Sequence, residues 1–315
     1  MMTKVFIDGS EGTTGLRINE RLEGRDDIEL LKIPSELRKD PAEIKKYINE
    51  SDVTFLCLPD AAAVEAVALA DNDRVKIIDA STAHRTAPGW AYGYPELGES
   101  FRSAIKTGNR IAVPGCYATG FITCVYPLIK GGIMGSDYPV SVFAMSGYSG
   151  GGKKMIAAYE ADERPAELSS PRQYALSQMH KHLKEMKAIT GLDRTPLFNP
   201  VVCDYYSGMV VTLSLYADML KKKLTPENVR DYFAEFFTGE QFITVMPYGA
   251  EAEFSNFIGS NNYSGRDDLQ IFVTGNDERI VVNARFDNLG KGASGAAIQC
   301  FNIATGAPES KGLVL

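Results

Sequence analysis

The sequence predicts an α/β protein in two parts: a Rossmann-type parallel sheet, then an α+β part with a mostly antiparallel sheet. Three observations predict it. Short apolar runs alternate with helical patterns up to about residue 120, the order that builds right-handed βαβ units. The first run leads into a glycine loop and then a helix-like stretch. Beyond about residue 120 the runs lengthen and several alternate apolar with polar residues, as an antiparallel sheet covered on one face requires.

Lys4 to Asp8 reads as a short buried strand, and Leu16 to Leu22 has helical spacing. Ile28 to Ile33 is a second strand, stopped by Pro34. Asp40 is placed to cap a helix with Pro41 at its first position. Val53 to Leu58 is a third strand and Asp60 to about Leu69 an alanine-rich helix. Lys76 to Asp79 and Arg110 to Val113 complete the strands of the first part. Strands are then expected at Val140 to Met145, Val201 to Val202, Met209 to Ala217, Phe242 to Met246, Leu269 to Thr274 and Arg279 to Asp287. Helices are expected at Arg172 to Thr190, at Pro226 to Phe237, and from Gly290 to Thr305, where the chain returns to the first domain.

The 315 residues suffice for one large domain or two ordinary ones. The chain is 44% hydrophobic and 23% charged, the balance of a globular enzyme. Its net charge of -7 argues against broad nucleic-acid binding, which needs a basic face. No run approaches the ~20 apolar residues of a membrane span, and the short apolar start at Lys4 is not a signal peptide. The five cysteines are odd in number and lack CxxC spacing, so neither a disulfide framework nor a zinc site is expected. A reducing cytoplasm is the expected location.

Gly9-Ser-Glu-Gly-Thr-Thr-Gly15 follows a strand and opens a helix, the context in which glycines admit a dinucleotide pyrophosphate to a helix N-terminus. Gly9, Ser10, Gly12, Thr13, Thr14 and Gly15 are read as cofactor-binding on that ground. The spacing is G-x-x-G-x-x-G, not G-x-G-x-x-G. After the second strand, Ser35, Arg38 and Lys39 offer a hydroxyl and two cations for a 2′-phosphate, which favours NADP. Glu36 is the competing reading, since a carboxylate there would bond NAD ribose hydroxyls.

Cys116 stands after Pro114-Gly115 and before the helix-like run Thr119 to Leu128. A helix N-terminus favours the thiolate, and its unpaired N–H groups would hold an oxyanion. A thiolate attacks a carbonyl, the thioester accepts hydride, and thiolate then leaves. A buried structural cysteine is the alternative, and it is the reading given to Cys124 amid apolar neighbours. The only histidines are His84, His180 and His182. On a helix His182 and Glu185 share a face while His180 and His182 do not. A solvated helix face is the alternative for this run, and no ligand set completes a metal site.

Beyond single residues, Asp79-Ala-Ser-Thr-Ala-His-Arg85, Tyr92-Gly-Tyr-Pro-Glu-Leu97, Pro114-Gly-Cys-Tyr-Ala-Thr119, Ser146-Gly-Tyr-Ser-Gly-Gly-Gly-Lys153 and Asn288 to Gln299 resemble the N-acetyl-gamma-glutamyl-phosphate reductase family in its shorter form. The resemblance implies an aspartate-semialdehyde-dehydrogenase-like architecture. It implies an NADP-binding domain of residues 1–117 with a returning 290–315, and a catalytic and oligomerisation domain of residues 118–289. It implies NADPH-dependent reduction of N-acetyl-glutamyl 5-phosphate to the 5-semialdehyde, in arginine biosynthesis, by a homodimer or homotetramer. By the same resemblance Cys116 is the nucleophile and His180 the acid/base. Tyr174, His182 and Glu185 lie at the substrate, Ser146 and Gly147 beside the nicotinamide, and Asn288 and Gly292 in a later cofactor loop. The chain departs from the longer form at Val113, where that form has asparagine, and at Lys184, where it has proline.

Arg85 is a candidate partner for a substrate anion, because guanidinium binds phosphate or carboxylate in a fork; a surface salt bridge is the alternative. Two rival functions stand beside the main one. Acetyl-aminoadipyl or aspartyl phosphate would use the same cysteine, since one methylene changes binding by only about 1–3 kcal/mol. A non-catalytic NADP-binding sensor would keep the fold without the chemistry.

Overall fold

The computed structural model describes residues 2–315 and divides into two compact units, residues 1–115 with 293–314, and residues 116–292. The first unit contains β1 (Thr3–Asp8), α1 (Thr13–Leu22), β2 (Ile28–Leu31), α2 (Pro41–Glu50), β3 (Val53–Leu56), α3 (Asp60–Ala68), β4 (Lys76–Asp79), β5 (Ala91–Tyr92), α4 (Glu99–Thr107) and β6 (Arg110–Ala112). Its sheet has the order β2-β1-β3-β4-β6-β5 with every pair parallel. Strand alternation divides the core. Val5, Ile7, Phe55 and Ile78 face one layer, whereas Phe6, Leu56 and Ile77 face the other with Ile48 of α2 and Ala63 of α3. Both faces are therefore apolar, as a doubly wound sheet requires. Asp40 caps α2 as expected, accepting from Ala42 N–H at 2.8 Å, a contact worth about 1 kcal/mol.

The second unit holds α5 (Cys116–Lys130), β7 (Ser141–Gly147), α6 (Gly152–Tyr159), β8 (Arg172–Gln173), α7 (Leu183–Thr190), β9 (Leu197–Cys203), β10 (Met209–Tyr216), α8 (Pro226–Phe236), β11 (Ile243–Val245), β12 (Leu269–Gly275) and β13 (Arg279–Phe286). Its sheet runs β11-β12-β13-β10-β7-β9-β8. The β7–β9 and β11–β12 pairs are parallel and the other four antiparallel. Helix α5 packs on β10 and β13, and α8 on β12. On the other side Phe143, Leu197 and Tyr216 remain exposed.

Helix α9 (Gly295–Thr305) belongs to the first unit, where it packs against α1, α4 and β4. Buried Phe301 meets Phe55 at 5.7 Å between ring centroids. Burying such a ring contributes about 1.5–3 kcal/mol. Arg25 ties down both α9 and the segment beyond it, donating to Asn302 at 2.9 Å and to the Lys311 carbonyl at 3.3 Å.

One expected helix differs. Only Leu183 to Thr190 of the stretch Arg172 to Thr190 is helical. Arg172 and Gln173 instead pair antiparallel with Val202 and Val201 of β9. Ala175 and Gln178 lie in the left-handed region at φ 53° and 57°, which ends helical continuation for residues with side chains. Gln178 Nε2 donates to the Phe198 carbonyl at 2.8 Å, and its Oε1 accepts from Phe198 N–H at 2.9 Å. The loop is thus bonded to β9 rather than to itself. Among the described residues, no helix is long and apolar enough to cross a membrane.

Candidate active site

The candidate nucleotide site lies in the first unit. Gly9 adopts φ 82°, and a Cβ there would stand 2.4 Å from the Cys57 carbonyl oxygen. A Cβ on Gly15 would meet the Gly9 carbonyl at 2.3 Å. These two positions accept only glycine, and the turn closes with Gly12 N–H donating to Gly9 O at 3.0 Å. Thr13 and Thr14 open α1, whose N-terminus carries no side-chain cap, so its first N–H groups point outward for an anion. A cleft of about 260 Å³ adjoins this turn, lined by Ser10, Glu11, Leu16 and Asn19 and by Leu30 to Ile33. These residues fit a dinucleotide: a glycine-walled turn, uncapped amides and a cleft with both apolar and polar walls. Ser35 and Lys39 are exposed beyond β2, as is Glu36. Arg38 reaches back to form an ion pair with Glu11, a carboxylate that sequence reading passed over because it sits between the loop glycines.

Asp79, fully buried at the end of β4, gathers a second cluster in this unit. It accepts from Ser81 N–H at 2.8 Å, from Ser81 Oγ at 2.7 Å and from His84 Nδ1 at 2.7 Å. The His84 ring stacks on Trp90 at 4.0 Å. Arg85 is buried, which removes the surface-salt-bridge reading. Its Nε donates to the Val113 carbonyl at 2.8 Å and its Nη2 to that of Ala80 at 3.2 Å. It braces the strand end that leads into Pro114-Gly115.

The second unit assembles the chemical groups. Cys116 is the first residue of α5 and is partly buried. Gly292 lies against it: a Cβ there would come within 2.9 Å of Cys116 Cβ. The glycine read as part of a cofactor loop therefore makes room for the nucleophile. Gly292→Ala is expected to displace Cys116 and lower kcat/KM about 10²-fold, and to lower the unfolding temperature modestly, because its Cβ would also meet the Asp287 carbonyl and the Phe286 ring at 3.2 Å. A wild-type kcat/KM in that variant would remove the assigned role.

His180 precedes α7, and His182 is its N-cap, so neither lies on the solvated helix face considered above. Their rings stand perpendicular with centroids 4.6 Å apart. The His182 backbone N–H donates to His180 Nδ1 at 3.2 Å, which leaves the proton of a neutral His180 on Nε2. His182 and Glu185 are buried. Tyr174 meets His180 at 5.9 Å, and Tyr117 meets His180 at 5.8 Å and His182 at 6.0 Å. Burial raises the phenols of both tyrosines well above their usual range, and a Cys116 thiolate pushes the same way. Tyr117 was not singled out from sequence, since its place beside the nucleophile says nothing of its ring.

Ser146 and Gly147 end β7; Ser146 is buried, and its Oγ donates to the Gly147 carbonyl at 3.1 Å. A Cβ on Gly147 would stand 2.5 Å from the Tyr206 carbonyl, so only glycine fits. Asn288 is buried and acts as a brace. Its Oδ1 accepts from Gly208 N–H at 2.8 Å, and its Nδ2 donates to Ser149 Oγ at 3.0 Å. Cys124, Cys203 and Cys300 are buried, and desolvation, with the Asp79 and Asp8 carboxylates, pushes the Cys57 thiol up to about 12. Among the described residues, no three His, Cys, Asp or Glu side chains gather as a metal site would need.

Residues 4–107 match the family profile described as "Semialdehyde dehydrogenase, NAD binding domain". Residues 116–288 match "Semialdehyde dehydrogenase, dimerisation domain". The N-acetyl-gamma-glutamyl-phosphate reductase 2 of Nostoc sp. is 45% identical over 98% of this chain and 99% of its own length. The N-acetyl-gamma-glutamyl-phosphate reductase 2 of Pseudomonas putida is 41% identical over 98% of each. Among solved structures, aspartate semialdehyde dehydrogenase II of Vibrio cholerae superposes with a TM-score of 0.71 at 16% identity, over 97% of this chain and 98% of that one. The Francisella tularensis aspartate semialdehyde dehydrogenase gives 0.72 at 16% identity, over 96% and 100%. These two share the fold. By its near-complete match to the reductases and to both semialdehyde dehydrogenase profiles, the chain belongs to the N-acetyl-gamma-glutamyl-phosphate reductase family.

Proposed function

We propose that the chain reduces N-acetyl-glutamyl 5-phosphate to N-acetyl-glutamate 5-semialdehyde through a thioester on Cys116. The observation that carries this reading is Cys116 at the N-terminus of α5, with Gly292 clearing its Cβ. The thiolate attacks the acyl carbon, and phosphate leaves with the bonding pair. A nicotinamide cofactor, when bound, supplies the hydride that reduces the resulting thioester. Amide N–H groups at the start of α5 stabilise the oxygen on which charge develops. His180 Nε2–H donates to that oxygen, and collapse of the hemithioacetal returns the thiolate and frees the aldehyde. Tyr174, His182 and Glu185 bind substrate around His180, while Arg85 holds the strand end before the nucleophile.

The Gly9 to Gly15 turn holds the pyrophosphate with Ser10, Thr13 and Thr14. Ser146, Gly147 and the Asn288-braced loop contribute to the nicotinamide end. NADP is the preferred cofactor: Ser35, Arg38 and Lys39 follow β2, and a 2′-phosphate would take the place of Glu11 on Arg38. The enzyme acts in arginine biosynthesis in the cytoplasm, in keeping with five free cysteines. It works as a homodimer or homotetramer, and the exposed Phe143, Leu197 and Tyr216 side of the second sheet is the face offered to a partner copy.

The reverse reaction tests this reading. With inorganic phosphate, N-acetyl-glutamate semialdehyde should reduce NADP faster than NAD, and faster than the aspartate or acetyl-aminoadipate semialdehydes do. Arg38→Ala should lower the NADP preference about tenfold and leave NAD turnover unchanged. Equal use of both nucleotides by the unaltered chain would contradict the NADP assignment.

A further inference from the structure

Tyr117 sits one residue after the nucleophile in the first turn of α5 and is 4% exposed. Its ring meets Phe198 edge-on at 5.1 Å, His180 edge-on at 5.8 Å and Tyr174 at 6.3 Å. His180 in turn meets Phe198 at 5.1 Å. Phe198 is the residue whose two backbone groups Gln178 clamps, so the loop carrying His180 is fixed to the strand against which Tyr117 packs. A phenylalanine would fill this space equally well. The hydroxyl is the added feature, and a buried phenol needs partners. Ser146 and Tyr174 are the side chains that act on this phenol, and the Tyr174 ring lies 6.3 Å from that of Tyr117.

We propose that Tyr117 is a positioning residue of the reaction: its ring walls His180, and its hydroxyl links Ser146 to Tyr174, locking both to the helix turn that carries Cys116. The proposal rests on the reading of Cys116 and His180 given above. Burial keeps both phenols protonated, so the Ser146–Tyr117–Tyr174 link stays neutral and intact through the working pH range. Because Tyr117 and Cys116 share one turn, moving the ring moves the nucleophile with it.

The test is a double-mutant cycle on the full chain. Tyr117→Phe should lower kcat about threefold to tenfold, the net effect of one neutral hydrogen bond, with KM for the acyl phosphate and thermal unfolding unchanged. Tyr174→Phe should lower kcat by a similar or larger factor. The double variant should be no slower than the slower single, because the Tyr117 hydroxyl acts through Tyr174. Tyr117→Leu, which removes the ring, should also shift the near-neutral limb of the kcat–pH profile, whereas Tyr117→Phe leaves that limb in place. Should the leucine variant fail to fold, the two phenylalanine variants decide alone. Losses that multiply in the double variant, or a wild-type kcat for Tyr117→Phe, would overturn the proposal while leaving the reductase reading intact. An unaltered chain that reduces no acyl phosphate would overturn that reading and this proposal together.

Discussion

Cys116→Ser should lower acyl-phosphate reduction at least about 10³-fold, or roughly 4 kcal/mol of barrier, while NADPH binds as before. A serine hydroxyl is a weaker nucleophile than a thiolate, and its ester would expel a far poorer leaving group when the reduced intermediate collapses. The Gly9 to Gly15 turn lies in the other unit of the chain, so fluorescence titration with NADPH should be unchanged. Selective alkylation gives the same answer by another route. Iodoacetamide should label Cys116 first, since Cys124, Cys203 and Cys300 are buried and burial pushes the Cys57 thiol up to about 12. Wild-type-like turnover by the serine variant would contradict the assignment.

His180→Ala should cost about 10² to 10⁴-fold in kcat, the usual contribution of a positioned acid/base group. The loss should fall on kcat rather than KM, because the group acts on the oxygen only as charge develops there. The near-neutral limb of the kcat–pH profile should flatten in the same variant, whereas removal of a merely structural ring would leave that limb and lower the unfolding temperature. His182 provides the internal control. It is buried, and its backbone amide serves His180 Nδ1. His182→Asn keeps that amide and should therefore lose less. Equal kinetic losses in the two variants would place the acid/base role elsewhere.

The first sheet was legible because its strands are short, apolar and punctuated by Pro34 and Pro59, and because Asp40-Pro41 announces a helix start. The two-residue strand Ala91–Tyr92 and the helices Glu99–Thr107 and Gly152–Tyr159 escaped it. Each is short, and the last follows a glycine run that reads as loop. The Arg172 to Thr190 stretch misled for a different reason. Its residues favour a helix locally, but strand pairing with β9 and the Gln178 clamp on Phe198 are long-range bonds that periodicity does not register.

The site divided along the same line. Cys116, the glycine turn and the histidine pair were visible as motifs. The role of Gly292 against the nucleophile, the Glu11–Arg38 pair, the commitment of Arg85 to backbone carbonyls and the ring of Tyr117 are all contacts between distant segments. Residue type alone carries no signal for such contacts.

The central claim is a covalent acyl enzyme on Cys116, and intact mass analysis tests it most directly. Mixed with N-acetyl-glutamyl 5-phosphate and no nicotinamide, the protein should release one equivalent of phosphate and gain one N-acetylglutamyl group. That group should map to the peptide containing Cys116 and disappear on addition of NADPH. Phosphate release without an adduct, or an adduct on any other residue, would contradict the account.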